Sequence, residues 1–61
     1  MELIKNRLYI SNKVEYYDGF PFRKIKLIDF KNKEVTFTTE WPVRKLNATL
    51  EDFYKRFKKW D

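Results

Sequence analysis

Arg23, Lys24 and Lys26 fall within four consecutive positions, with Lys13 upstream and Lys31 and Lys33 just downstream. Cations at this density neutralise phosphates and release the counterions condensed on a polyanion. Tyr17, Phe20 and Phe22 lie in the same stretch, and rings beside cations are the ingredients for holding single nucleic-acid strands. The expected nucleic-acid contacts are therefore Lys13, Arg23, Lys24 and Lys26, with Tyr17 or Phe22 stacking. The same residues also fit a plainer role. Lysines on a solvated sheet face keep strand edges from pairing, and aromatics fill a small core. Glu15 and Glu34, expected near that face, dilute its charge and weigh toward the plainer role.

Other chemistry lacks its parts. The chain has no cysteine and no histidine, so thiolate metal sites, disulfides, imidazole ligands and the commonest general base are absent. Ser11 is the only serine and has no imidazole to activate it. Glu51 and Asp52 are adjacent, so on a helix their side chains diverge; they suit the positive end of the helix dipole better than a shared site. One glycine is too few for a phosphate-cradling loop. Asn47-Ala48-Thr49 matches the glycosylation sequon, but with nothing resembling a signal peptide it reads as a polar entry to a helix with Thr49 as its cap. A non-catalytic chain with no metal and no cofactor is expected.

A protein partner is the alternative. Trp41 beside Pro42, with Phe20, supplies residue types that dominate interface hot spots. Trp41 serves as well as a buried plug at a corner of the fold. The basic residues Lys55, Arg56, Lys58 and Lys59 read as the solvent face of an amphipathic helix. Reading of a duplex groove would want Asn, Gln or Arg at the contacting positions.

These residues need elements to position them. Phe22 to Glu40 organises the chain as two strands around a polar turn. Ile25, Leu27, Val35 and Phe37 recur at the period that sends alternate side chains to one face, and Asn32 accepts the left-handed backbone of a tight hairpin. Ile28 and Phe30 have the other parity, which predicts a bulge near Ile28. Upstream, Leu8 to Tyr17 reads as a strand interrupted at Ser11-Asn12, and Asp18-Gly19 is the strongest turn signal. Pro21 lacks an N–H, so residues 18–21 read as a connection. The expected strands cover 8–17, 22–30 and 34–40, with 43–46 as an optional short fourth. Thr49, followed by Asp52 three residues on, approximates a capping box. Leu50, Phe53, Phe57 and Trp60 form one stripe at helical spacing, which predicts a helix over 50–60. The predicted core is Ile25, Leu27, Val35, Phe37, Phe53 and Phe57.

Sixty-one residues make one domain, residues 1–61, near the lower limit for folding without staples. Twelve aromatics, 20% of the chain, provide apolar area for its core. Fourteen Lys and Arg against nine Asp and Glu leave a net charge of +5, which favours polyanion partners. No run is long and apolar enough to span a bilayer, and nothing resembles a signal peptide; a cytoplasmic location is expected. Strands first and helix last predict an α+β fold: a small, strongly bent antiparallel sheet of three to five strands capped by a C-terminal helix. As a shape this resembles the SH3-like small-barrel class. The expected function is a nucleic-acid-binding or nucleic-acid-associated regulatory module, monomeric or homodimeric. The alternatives are a protein-interaction adaptor or inhibitor and a self-associating structural subunit.

Overall fold

Two pairs of left-handed residues turn the chain back on itself. In the computed structural model, which describes residues 3–60, Asp18 and Gly19 have φ of 53° and 83°, and Asn32 and Lys33 have 53° and 65°. Positive φ at both central residues is the type I′ geometry, whose twist matches that of the strands it joins. The first turn links β1 (Leu8–Tyr17) to β2 (Phe20–Lys31), and the second links β2 to β3 (Glu34–Thr39). Lys33 is an uncommon occupant of this region. Its carbonyl accepts from the Leu50 N–H at 2.8 Å, tying the turn to the start of the helix.

The chain continues through β4 (Lys45–Thr49), α1 (Leu50–Arg56) and β5 (Phe57–Lys59). All five strands join one antiparallel sheet in the order β4-β3-β2-β1-β5. The fold is α+β. The sheet is open rather than a closed barrel, with β4 and β5 as its edges.

Alternate residues of the central strands point to one side and bury Tyr9, Ile25, Leu27, Val35 and Phe37 under Phe53 and Phe57. The Phe53 ring lies 4.8 Å from Phe57, 5.5 Å from Tyr9 and 5.9 Å from Phe37, centroid to centroid. Each is a separation at which aromatic pairs attract beyond their buried area. Thr49 caps the helix by accepting from the Asp52 N–H at 3.1 Å. All six predicted core residues are buried. Tyr9 joins them, and its hydroxyl accepts from the Ile4 N–H at 3.0 Å. So does Ser11, whose hydroxyl donates to Glu15 and accepts from the Lys13 N–H, which makes a buried polar group tolerable.

Several boundaries differ from expectation. Trp60 leaves the helical stripe, because the helix ends at Arg56 and the next residues add a strand to the edge of β1. β2 begins at Phe20 rather than at 22. Tyr17 and Phe20 close the hairpin, so Tyr16 and Pro21 form the following, non-hydrogen-bonded pair, where a missing N–H costs the ladder nothing. The fourth strand spans Lys45–Thr49 rather than 43–46. The register shifts between Leu27 and Asp29, at the bulge expected near Ile28, and again in β1 between Ile10 and Glu15. Met1, Glu2 and Asp61 lie outside the described residues.

Candidate functional site

The register that buries one face of the sheet fixes the composition of the other. Leu8 stands opposite Lys26, Lys26 opposite Thr38, and Thr38 opposite Lys45. The Trp60 N–H donates to the Leu8 carbonyl at 3.2 Å, which continues the row onto the last strand. One line across the outer face therefore reads Trp60, Leu8, Lys26, Thr38, Lys45. The adjacent line carries Lys58, Ile10 and Lys24. Cross-strand neighbours are close enough for their side chains to act together. Among the described residues, none of Lys24, Lys26, Lys45 and Lys58 forms an ion pair. Lys24 Nζ instead sits 4.3 Å from the Trp60 ring centroid, a cation–π contact.

The acids near this face lie at its margins. Asp29 is held by Lys5 at 3.1 Å and accepts from the Phe30 N–H; the Lys5 hydrogen bond, more than any other cause, lowers its pKa from the ordinary value. Glu34 stands opposite Lys31 at the far end of β3, and Glu40 follows the end of that strand. Glu15, expected on this face, lies on the helix side. It binds Arg56 of α1 at 3.3 Å, and Asp52 holds the same guanidinium at 2.9 Å. Partial burial alone would lower the Arg56 pKa, but the hydrogen bonds to Asp52 and Glu15 raise it.

A second surface forms at the β1–β2 hairpin end, where Tyr17, Phe20 and Phe22 meet Trp41, Pro42 and Arg44 around a small cleft. The Trp41-Pro42 peptide is cis. Thr39 anchors this loop: its hydroxyl donates to the Pro42 carbonyl at 2.7 Å and accepts from the Arg44 N–H at 3.0 Å. The Arg44 guanidinium lies 5.6 Å from the Phe20 centroid and 6.0 Å from that of Tyr17, and its Nη2 is 3.7 Å from the Asp18 carboxylate. Trp41 is 81% exposed. It is no buried plug.

The structure thus divides the residues singled out from sequence. Lys24 and Lys26 share the outer face with Thr36 and Thr38. Arg23 donates to the Ser11 carbonyl at 3.0 Å, and Lys13 sits in the β1 bulge with no register partner on β2. Tyr17 and Phe22, the latter also packed against the core cluster, line the hairpin cleft with Thr39. Phe20 and Trp41 do come together there. Reading the helix through to residue 60 concealed Lys58 and Trp60, and Lys45 appears only through the β3–β4 register.

No protein-family model, no curated protein and no solved structure matches this chain. Geometry and chemistry are the basis for any reading of its function.

Proposed function

We propose that this chain is a small, non-catalytic binding module that holds nucleic acid on the outer face of its sheet. The observation that carries the reading is the placement of Lys24, Lys26, Lys45 and Lys58 on one face, without ion-pair partners among the described residues. Their charge is available to phosphates, and the Thr38 hydroxyl between Lys26 and Lys45 adds a short hydrogen-bonding group. Among the described residues the one helix packs on the opposite face, so no element covers the lysines. The acids Asp29, Asp18, Glu15 and Asp52 are each engaged with a cation, which supports a binding role over acid–base chemistry. The strand order, with a short helix before a last strand that returns to β1, supports reading the sheet as an open relative of SH3-like small barrels. Among the described residues no helix is long and apolar enough to cross a membrane; a cytoplasmic location is proposed with this reading.

The test is a titration with labelled single- and double-stranded oligonucleotides at low and at physiological salt. If each of the four lysines takes a phosphate of a single strand, the log–log salt slope is about −3, so a roughly fourfold rise in salt weakens binding roughly 50-fold. Absence of binding to either form at low salt removes the reading.

Trp41 favours a second reading, a protein-interaction adaptor anchored at the hairpin cleft. An indole so exposed beside Phe20 and Arg44 has the composition of an interface hot spot. A partner held there would lose affinity on Trp41→Ala and depend only weakly on salt.

A further inference from the structure

We infer that the ligand of the outer face is single-stranded, and that an unpaired base stacks on Trp60. This rests on the reading of that face as a nucleic-acid surface. Trp60 stands apart from the core rings: it is 43% exposed and belongs to no part of the buried cluster. Its backbone N–H bond to Leu8 makes it the last rung of the sheet, so the indole emerges on the same row as Lys26 and Lys45. The Lys24 ammonium over the ring orients the indole and places positive charge beside it.

The indole also lines a shallow depression with Asn6, Arg7 and Leu8. Lys24 is not part of that lining, so the depression gives access to the ring away from the ammonium. The apolar Leu8 side chain beside the Trp60 ring suits a flat heterocycle. Bases within a duplex are already stacked on one another and cannot present a face to a side chain, whereas unpaired bases splay out onto aromatic platforms. From Trp60, the next cation along the row is Lys26, two strands away, and Lys45 lies two strands further. At the usual strand spacing, each interval is about 10 Å. A strand whose base sits on Trp60 can therefore run its phosphates across the sheet over successive lysines.

Trp41→Phe leaves Trp60 as the only indole, since the chain has two. This variant is titrated at low salt with oligothymidine, oligouridine and a blunt DNA duplex of the same length. Single strands should quench Trp60 fluorescence along the binding isotherm, and the duplex should leave it unchanged. Trp60→Ala, with folding checked by circular dichroism, should weaken single-strand binding roughly 5- to 150-fold, the range of one base–aromatic stack. It should leave duplex affinity unaltered. Trp60→Phe, which keeps a π face, should recover most of the loss. Single-strand binding that neither quenches Trp60 nor responds to Trp60→Ala overturns the stack and leaves the charge-based reading standing. Tighter binding of the duplex overturns the preference for single strands. No binding to any of the three removes both inferences together.

Discussion

The two faces of the sheet are built from alternate residues of the same strands, and they have opposite characters. On the helix side Ile25, Leu27, Val35 and Phe37 are buried under Phe53 and Phe57. One residue away along β2, Lys24 and Lys26 stand on the uncovered side with Leu8, Ile10 and Trp60. The period of two in a strand allows this separation, but a single α-helix can cover one face alone. A domain of this size therefore keeps an outer face that stability does not require to be closed. What occupies it is open to be set by binding, and here lysines, threonines and one indole stand beside Leu8 and Ile10. The charged residues differ in the same sense. On the helix side Arg56 is held by both Glu15 and Asp52, whereas Lys24, Lys26, Lys45 and Lys58 of the outer face have no carboxylate partners among the described residues.

Removing the central ring of the closed face should have the largest effect. Phe53 is fully buried and meets Tyr9, Phe37 and Phe57. Phe53→Ala should cost about 3–5 kcal/mol, a large part of the roughly 5–15 kcal/mol available to a native domain. Thermal unfolding followed by circular dichroism should show a much lowered midpoint or no cooperative transition. A parent-like midpoint would mean that the helix does not close that face.

The matching change on the open face should leave the fold intact and affect only the ligand. Lys24→Glu combined with Lys26→Glu should shift stability by no more than about 0.5 kcal/mol at each site, as for solvent-facing positions. It should abolish most nucleic-acid binding and flatten the salt slope by about 1.4, the contribution of two phosphate contacts to a single strand. Retained affinity in a folded double variant would break the functional half of the comparison.

The closed face was largely legible in the sequence, because burial enforces periodicity. Val35 and Phe37, and Ile25 and Leu27, can alternate only if one side is packed. Asp18-Gly19 and Asn32 also announce their turns, since few residues accept positive φ. The open face was harder to read, because its membership depends on non-local register. Lys45 joins it through β3, and Lys58 and Trp60 join it through pairing with β1. The end of the chain misleads for a specific reason. Phe53 and Phe57 are four apart, a spacing that fits one face of a helix, so Trp60 looks like the next residue of the stripe. The unpaired edge of β1 offers the chain a backbone ladder after Arg56, and that long-range pairing overrides the local helical pattern. Tyr9 and Ser11 were missed for a related reason: Leu8 and Ile10, the more apolar pair of the alternation, stand on the outer face, so residue type alone pointed to the wrong side.

The Arg56 contacts give an intermediate test, since they fasten the helix to β1. Arg56→Gln would leave Glu15, a largely buried carboxylate, with the Ser11 hydroxyl as its remaining partner. The pair is neither fully exposed nor fully buried, so a cost of about 1–2 kcal/mol is expected, between the values typical of the two classes. Urea unfolding should show a lower midpoint with an unchanged slope, and single-strand affinity should be unaltered. A loss of affinity at parental stability would show that the helix side also contributes to binding.

The smallest effect should come from Asp29, the acid that Lys5 holds at the margin of the outer face. Its pKa is lowered below the ordinary 3.8 by Lys5 and by the Phe30 N–H. A carboxylate with a depressed folded-state pKa adds stability that is fully present above its unfolded value and is lost as pH falls through the lowered one. Asp29→Asn keeps an oxygen that can accept from the Phe30 N–H but removes the charge that holds Lys5. The variant should melt slightly below the parent at neutral pH. The gap should close as the solution is acidified through the lowered pKa, and also on adding salt, because the pair is exposed and screened. On the ligand side the sign reverses. Removing the carboxylate leaves Lys5 uncompensated and makes the outer face more positive, so single-strand binding at low salt should tighten. A variant that loses stability without gaining affinity would place the ligand away from the Asp29 margin and confine it to the lines through Lys26 and Lys24.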